Sequence, residues 1–235
     1  MISKPKPGIA GLALIFGSLL PNFLWSQDTA SIQGTISAQV GATPIAGAFA
    51  VATRAGLPPF RQTVPSAANG SFQIQNLPAG TYSLCVRFSS GAYLDSCEWG
   101  QTASSIILAA GQQSTGNTLR PLTGSVVKVR IQDTAQTLFQ KASTGATPDL
   151  RMGVFARPGV FYPARLVRRD IRGADFELPV PFNTPLSLTV VSKSLRLTDV
   201  SGAAVPNAGA QAAFQHATGD PNPQSFTYTV AGLVP

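Results

Sequence analysis

The chain has 235 residues, of which 44% are hydrophobic and only 11% are charged, and it contains 22 glycines and 19 prolines. The hydrophobic content is sufficient for a packed core, but glycine and proline interrupt the chain too often for a protein built from long helices. After residue 30 no helical period continues over three turns, whereas short alternating runs recur. The composition and patterning therefore predict an all-β protein.

The first 26 residues have the layout of a secretory signal peptide. Two lysines precede an apolar run over residues 9–20, and Ser26 is a small residue at the expected cleavage point. The alternative is an uncleaved membrane anchor, but a span requires about 20 apolar residues and this run is shorter. We therefore predict export and cleavage after Ser26. The mature chain would have no membrane span and would be secreted, periplasmic or part of the cell envelope.

Residues 69–86 read NGSFQIQNLPAGTYSLCV and contain two alternating runs. Apolar side chains occupy every second position on both sides of Pro78-Ala79-Gly80, which is the pattern of strands with one buried face. Proline and glycine between the runs cannot continue a strand ladder and turn the chain. This segment therefore predicts two strands joined by a tight corner, with Phe72 and Tyr82 as core anchors.

The two cysteines of the chain, Cys85 and Cys97, lie on either side of a short loop. Export to an oxidising compartment favours a disulfide between them. Cys85 alternates with Leu84 and Val86, so the bridge is expected on the outside of the strand, where it would join the strand to the returning loop. Two sulfurs without nearby histidines are a poor zinc site.

Tyr93 and Trp99 belong to the same loop and are candidate glycan-stacking residues. Aromatic rings held on a stapled loop can bury the apolar face of a sugar at little entropic cost. The alternative is that Trp99 packs over the disulfide as part of the core. The sequence leaves both possibilities open.

Positive charge is concentrated in the second half of the chain. Residues 27–119 hold three arginines and three acids, whereas residues 151–173 hold six arginines and one acid, Asp170. A strip of this kind predicts contact with an acidic polysaccharide or envelope surface, and the alternative is a solvated strand face paired with acids elsewhere. The candidate anion-binding residues are Arg165, Arg168, Arg169 and Arg172.

An internal repeat relates the two halves of the chain. Residues 71–86 and 175–190 align without a gap at an offset of 104, and Phe176 and Leu186 then correspond to Phe72 and Tyr82. Since alternating strands resemble each other easily, a chance likeness is the alternative. The repeat predicts two related β-sandwich domains in tandem, over residues 27–119 and 120–235. Residues 193–235 are too few for a third sandwich and are expected to be final strands or a docked extension of the second.

The first of these domains resembles the carboxypeptidase regulatory-like domain family. GTISAQVGATPIAGAFAVAT followed by NGSFQIQNLPAGTYSLCV matches the family pattern over residues 31–119, and the match fades over 120–190. The resemblance implies an Ig-like or prealbumin-like, carbohydrate-binding-like sandwich that accompanies exported enzymes or receptors without catalysing a reaction, and the repeat extends this fold to the second domain. The matched glycines, prolines and aromatic residues are marks of the fold.

The sequence gives little indication of catalytic activity. His216 is the only histidine, which excludes a zinc site with two histidines, and no Gly-x-Ser-x-Gly elbow presents a nucleophile. We expect His216 to be an exposed loop residue, and we expect no enzyme activity, no cofactor, no bound metal and no nucleic-acid partner.

Two functions stay open: an exported module for adhesion to glycan or the envelope surface, or a purely structural protein–protein module of an envelope assembly. The oligomeric state is not predicted.

Overall fold

The computed structural model describes residues 29–100, 104–140, 147–206, 209–220, 222 and 224–234. The predicted signal peptide, residues 1–26, lies outside the described residues. Within them the chain forms seventeen strands, one short α-helix and one 3-10 turn at Thr137–Phe139. The prediction of an all-β chain is confirmed.

The first seven strands form a sandwich of two sheets. One sheet has the strand order β4-β1-β7 and the other β3-β2-β5-β6. A four-residue helix, α1 (Ser96–Trp99), lies between β5 and β6. The strands are β1 (Ala30–Ile36), β2 (Phe49–Arg54), β3 (Phe60–Pro65), β4 (Ser71–Leu77), β5 (Gly80–Arg87), β6 (Ser104–Leu108) and β7 (Gln113–Leu119).

The remaining ten strands form a second, larger sandwich. Its sheets have the orders β11-β12-β8-β17-β14-β15 and β10-β9-β13-β16. The strands are β8 (Ser125–Gln132), β9 (Arg151–Arg157), β10 (Val160–Pro163), β11 (Arg165–Asp170), β12 (Gly173–Val180), β13 (Leu186–Val191), β14 (Leu195–Thr198), β15 (Ala204–Val205), β16 (Ala210–Phe214) and β17 (Ser225–Leu233).

The two sandwiches share one strand topology. β1 pairs antiparallel with β4 and parallel with β7, and β8 pairs in the same way with β12 and β17. β2 lies between β3 and β5, as β9 lies between β10 and β13. The second sandwich adds the edge strand β11 and the pair β14–β15. The tandem arrangement predicted from the repeat is confirmed at the level of strand connectivity.

The corner at Pro78-Ala79-Gly80 carries the chain from one sheet to the other, since β4 and β5 belong to different sheets. The Tyr82 hydroxyl donates a hydrogen bond to the Pro78 carbonyl at 2.7 Å and so ties the corner to β5. At the preceding turn, Gly70 has a φ of +75°, and a Cβ on it would lie 2.4 Å from the Ile36 carbonyl oxygen. Glycine is therefore required there both for the backbone conformation and for close packing on β1.

Each sandwich encloses its own hydrophobic core. Phe72 and Tyr82 are buried in the first, as predicted. Their counterparts Phe176 and Leu186 are only partly buried and pack at the margin of the second core. The two cores contain most of the largest fully buried side chains among the described residues: Ile32, Ile36, Ile74, Leu77, Tyr82 and Leu84 in the first core, and Ile131, Leu178, Leu188 and Leu195 in the second.

Leu84 and Leu188 occupy equivalent positions on β5 and β13, and both are fully buried. Replacing either leucine with alanine should lower the free energy of unfolding by about 2–5 kcal/mol, because each change removes buried methyl groups and leaves a cavity. Leu166, whose side chain is 51% exposed, is the matched control, and Leu166→Ala should change stability by less than about 0.5 kcal/mol. Urea denaturation measures all three variants. Equal effects at buried and exposed sites would contradict the assignment of the cores.

Candidate functional site

The connection between the sandwiches is held by backbone pairing. The segment from Arg120 to Gly124 joins β7 to β8, and it runs antiparallel to residues 92–94 in the loop after β5. The Leu94 N–H donates to the Leu122 carbonyl at 2.9 Å, and the Gly124 N–H donates to the Ala92 carbonyl at 2.7 Å. The connection is thus an ordered part of the first sandwich.

The same loop is held on its other side by the disulfide. Cys85 on β5 is bonded to Cys97 on α1, with the two Cα atoms 5.1 Å apart. The Val86 N–H donates to the Ser96 hydroxyl at 2.8 Å, and Arg87 forms an ion pair with Glu98. The predicted disulfide is confirmed. Although Cys85 points away from the core, it is only 7% exposed because α1 covers this face of the strand.

Asp95 stands at the point where the loop meets the second sandwich. Its carboxylate is buried and accepts hydrogen bonds from the Phe88 N–H at 2.7 Å and from the Tyr162 hydroxyl at 2.8 Å. Arg165 donates to the Phe88 carbonyl at 2.7 Å and to the Tyr162 hydroxyl at 2.5 Å. We call Asp95, Tyr162 and Arg165 the junction triad, since it joins β10 and β11 to the first sandwich.

Burial dominates the electrostatics of the junction triad. It raises the pKa of Asp95, and the hydrogen bonds from Tyr162 and Phe88 and the charges of Arg165 and Arg87 oppose that shift. The pKa of Tyr162 is raised as well, first by burial and then by the neighbouring Asp95 charge. The Tyr162 hydroxyl therefore keeps its proton and serves as the donor to Asp95. The arrangement suits a structural contact.

The predicted glycan-stacking residues both lie at this junction. Tyr93 is stacked on Phe88 with the ring centroids 5.1 Å apart, so one face of the Tyr93 ring is covered by protein. Trp99 meets the Tyr162 ring edge-on at 5.6 Å and packs against the second core. Arg157 donates to the Cys97 carbonyl beside it at 3.2 Å. These contacts favour packing roles, and glycan stacking on the two rings stays a prediction.

The four candidate anion-binding arginines do not share one environment. Arg165 is used in the junction triad. Arg168 contacts Asp175 at 3.0 Å and Asp170 at 3.5 Å, and these two carboxylates are also bound by Arg130. The acids that pair with Arg168 and Arg130 lie on β11 and β12, next to the arginines themselves.

The other two arginines lie near the end of β11. Arg169 lies over the Phe139 ring, 4.0 Å from its centroid, and donates to the Gln136 side chain at 3.0 Å. The side chain of Arg172 has no comparable contact among the described residues, and its backbone N–H donates to Asp170. The strip is therefore divided among separate partners, and its binding of anions stays a prediction.

His216 is not an exposed loop residue, and that expectation was wrong. The side chain is buried; its ring stacks on Phe182 with the centroids 5.8 Å apart, and its Nε2 lies 3.2 Å from the Asn222 carbonyl oxygen. The described residues include no cluster of three or more potential metal ligands. In the same part of the chain, no helix is long and apolar enough to cross a membrane.

The fold and the junction define a tandem β-sandwich protein. No protein-family model and no curated protein matches the chain. Solved structures with some similarity include the Bacillus anthracis TIE protein, with 16% identity, a TM-score of 0.34, and coverage of 86% of this chain and 34% of that one. A streptococcal ancillary pilin has 10% identity, a TM-score of 0.39, and coverage of 87% and 63%. The shaft pilin SpaA from Lactobacillus rhamnosus GG has 10% identity, a TM-score of 0.31, and coverage of 89% and 100%.

The chain thus spans about a third of the first of these proteins and less than two thirds of the second. The fold assignment rests on the strands and their pairing in this chain.

The disulfide should leave no free thiol in the mature protein. Alkylation without prior reduction should leave its mass unchanged, whereas alkylation after reduction should modify both cysteines. Cys85→Ser/Cys97→Ser should lower the free energy of unfolding by about 2–4 kcal/mol, since the unfolded chain is then no longer cross-linked. Modification of both cysteines in the unreduced protein would show that the bridge is absent.

Stability should decrease in acid through Asp170. The hydrogen bond from Arg130 lowers the pKa of this carboxyl from 3.8 to about 2. Between these values the unfolded state binds more protons than the folded state, so the stabilisation is present above pH 3.8 and is lost as the pH falls to 2. Asp170→Asn should therefore flatten the decline in melting temperature across this range. An unchanged slope in the variant would contradict the pairing.

Proposed function

We propose that the chain is an exported, non-catalytic structural module, in which two sandwiches act as one unit within an envelope or cell-surface protein assembly. The junction triad is the observation that carries this proposal. It places a buried carboxylate between the two sandwiches, with hydrogen-bond donors from both.

The contact between the two sandwiches combines hydrogen bonds to a buried charge with apolar packing and backbone pairing. A hydrogen bond to a charged group is worth about 1.5–3 kcal/mol, and a buried carboxylate that loses its donor destabilises the fold. Trp99 adds apolar contact with the second core, and the paired connection adds backbone hydrogen bonds. Two domains that moved independently would leave Asp95 and Tyr162 in water. The junction therefore supports a spacer that keeps the orientation of its two sandwiches.

The other elements of the proposal have separate support. The sequence pattern of residues 1–26 and the disulfide support export. The single histidine, which is buried against Phe182, supports the absence of catalysis. The family pattern over residues 31–119 supports membership of the carboxypeptidase regulatory-like family for the first sandwich. Glycan adhesion through Tyr93, Trp99 and the arginine strip is less well supported, because most of these side chains are used in internal contacts.

Tyr162→Phe tests the junction, because it removes the hydroxyl that donates to Asp95 and preserves the ring. The wild type should melt in one calorimetric transition. In the variant the free energy of unfolding should fall by about 1–3 kcal/mol, and the two sandwiches should melt in separate transitions. Small-angle X-ray scattering should show a broader distribution of maximum dimensions for the variant. Tyr82→Phe is the matched control, since Tyr82 is also buried and its hydroxyl bonds within the first sandwich alone. A single transition and unchanged scattering for Tyr162→Phe would contradict coupling through the junction.

Fractionation and cross-linking of intact cells that express the full chain test the proposed location and role. The expected products are a mature chain shortened at its N-terminus, with both cysteines bridged, and cross-linked species that contain envelope proteins. A full-length chain in the cytoplasm with free thiols would exclude an exported role. An exported chain that forms no cross-linked species would exclude the assembly.

A further inference from the structure

The turn between β11 and β12 consists of two residues, Ile171 and Arg172. The Ile171 side chain is 83% exposed, and Arg172 is exposed as well. A single exposed aliphatic residue is common on protein surfaces, so its surroundings decide whether the exposure indicates a contact site. Two features of this turn, its backbone hydrogen bonds and its neighbouring charges, distinguish Ile171 from such a residue.

Hydrogen bonds fix the backbone on both sides of Ile171. The Asp170 carbonyl accepts a hydrogen bond from the Gln136 side-chain amide at 3.0 Å, and the Arg172 carbonyl accepts one from the Asp133 N–H at 2.8 Å. Both donors belong to the segment that follows β8. The turn is therefore tied to the sheet, and Ile171 is held in the solvent. A side chain on a fixed backbone loses less conformational entropy when a partner covers it.

The surface around the turn keeps an excess of positive charge. The two acids of the β11–β12 hairpin nearest the turn are already paired with arginines, through the contacts Arg130–Asp170, Arg130–Asp175, Arg168–Asp170 and Arg168–Asp175. Asp133 is only 2% exposed. Arg169 and Arg172 are exposed and form no ion pair among the described residues. The Arg169 side chain is held against the neutral Phe139 and Gln136, so its charge is also left without an acid.

We propose that Arg169, Ile171 and Arg172, which we call the basic tip, contact an anionic lipid surface. The two arginines pair with lipid phosphates, and Ile171 enters the boundary between the headgroups and the acyl chains. The contact is peripheral and reversible, because it uses one aliphatic side chain and two cations.

The combination of charges with an exposed aliphatic residue favours a lipid over other anionic partners. An acidic polysaccharide would pair with the arginines but has no hydrocarbon to cover Ile171. A protein partner would need a pocket shaped for a single projecting side chain, whereas a fluid lipid interface accepts it without one. The inference goes beyond the proposed structural role, since it gives the module a surface for attachment to a membrane.

The test is co-sedimentation of the full mature protein with lipid vesicles. Vesicles of equal parts phosphatidylcholine and phosphatidylglycerol should bind the protein, and vesicles of phosphatidylcholine alone should bind it much more weakly. High salt should weaken binding to the anionic vesicles, because it screens the attraction between the arginines and the lipid phosphates. Dextran sulfate, an acidic polymer without hydrocarbon, is the comparison that separates lipid from polysaccharide.

Ile171→Ser should weaken binding to the anionic vesicles on the order of tenfold, because it removes the apolar contact. Arg172→Ala should weaken binding about fivefold, the effect of one basic residue at an anionic surface. Val200→Ser is the matched control and should leave binding unchanged. Val200 is also 83% exposed and lies in a turn of the same sheet, between β14 and β15, but it follows the acidic Asp199. Thermal melting should show that all three variants are folded, since each change is at an exposed site.

Tryptophan at the same two positions reports whether the tip enters the lipid. The fluorescence emission of Ile171→Trp should move to shorter wavelength when anionic vesicles are added, and lipids with brominated acyl chains should quench it. Val200→Trp should show neither change.

Absence of binding to anionic vesicles, or binding that Ile171→Ser and Arg172→Ala leave unchanged, would overturn the proposal. Equal binding of the wild type and Ile171→Ser to dextran sulfate, without binding to vesicles, would assign the arginines to an acidic polymer and would overturn it as well. Neither Ile171 nor Arg172 belongs to the junction triad. The structural proposal would therefore survive a failure here, and it is tested separately by Tyr162→Phe.

Discussion

The buried carboxylate of Asp95 is the constraint on which the rest of the structure depends. A buried charge is tolerated only where hydrogen bonds replace its water, and Asp95 obtains one donor from its own loop and one from Tyr162 of the second sandwich. The disulfide and α1 hold the loop in place, so that the carboxylate faces the second sandwich. Asp95 of the first sandwich therefore has both of its hydrogen-bond donors only when the second sandwich is folded against the first.

The junction uses part of the positive charge of the second sandwich. Arg165 lies beside Asp95 of the first sandwich and donates a hydrogen bond to the Phe88 carbonyl. Farther along β11, Arg168 and Arg130 share the two carboxylates of Asp170 and Asp175. The run of arginines thus divides into a domain contact through Arg165, an ion-pair network around Arg168, and separate environments for Arg169 and Arg172.

The two sandwiches differ in what has been added to a shared topology. β11 has no counterpart in the first sandwich, and it supplies Arg165 to the junction. The β9–β10 pair corresponds to β2–β3, but its outward positions carry Phe155 and Phe161 where the first sandwich has Thr53 and Arg61. The added strand β11 therefore joins the two sandwiches. A change of outward side chains gives the second sandwich an exposed aromatic residue that the first sandwich lacks.

Local sequence was enough to predict the strands, the corner after β4, the tandem repeat and the Cys85–Cys97 bridge, because each depends on alternation, on turn residues or on a short spacing. It could not predict the environments of Trp99, Arg165 and His216, since their side chains are placed by packing partners from other parts of the fold. Asp95 and Tyr162 are 67 residues apart, and no periodicity links them. Only the docking of the two sandwiches brings these groups together, because the free energy that places them comes from burial and hydrogen bonding between distant segments.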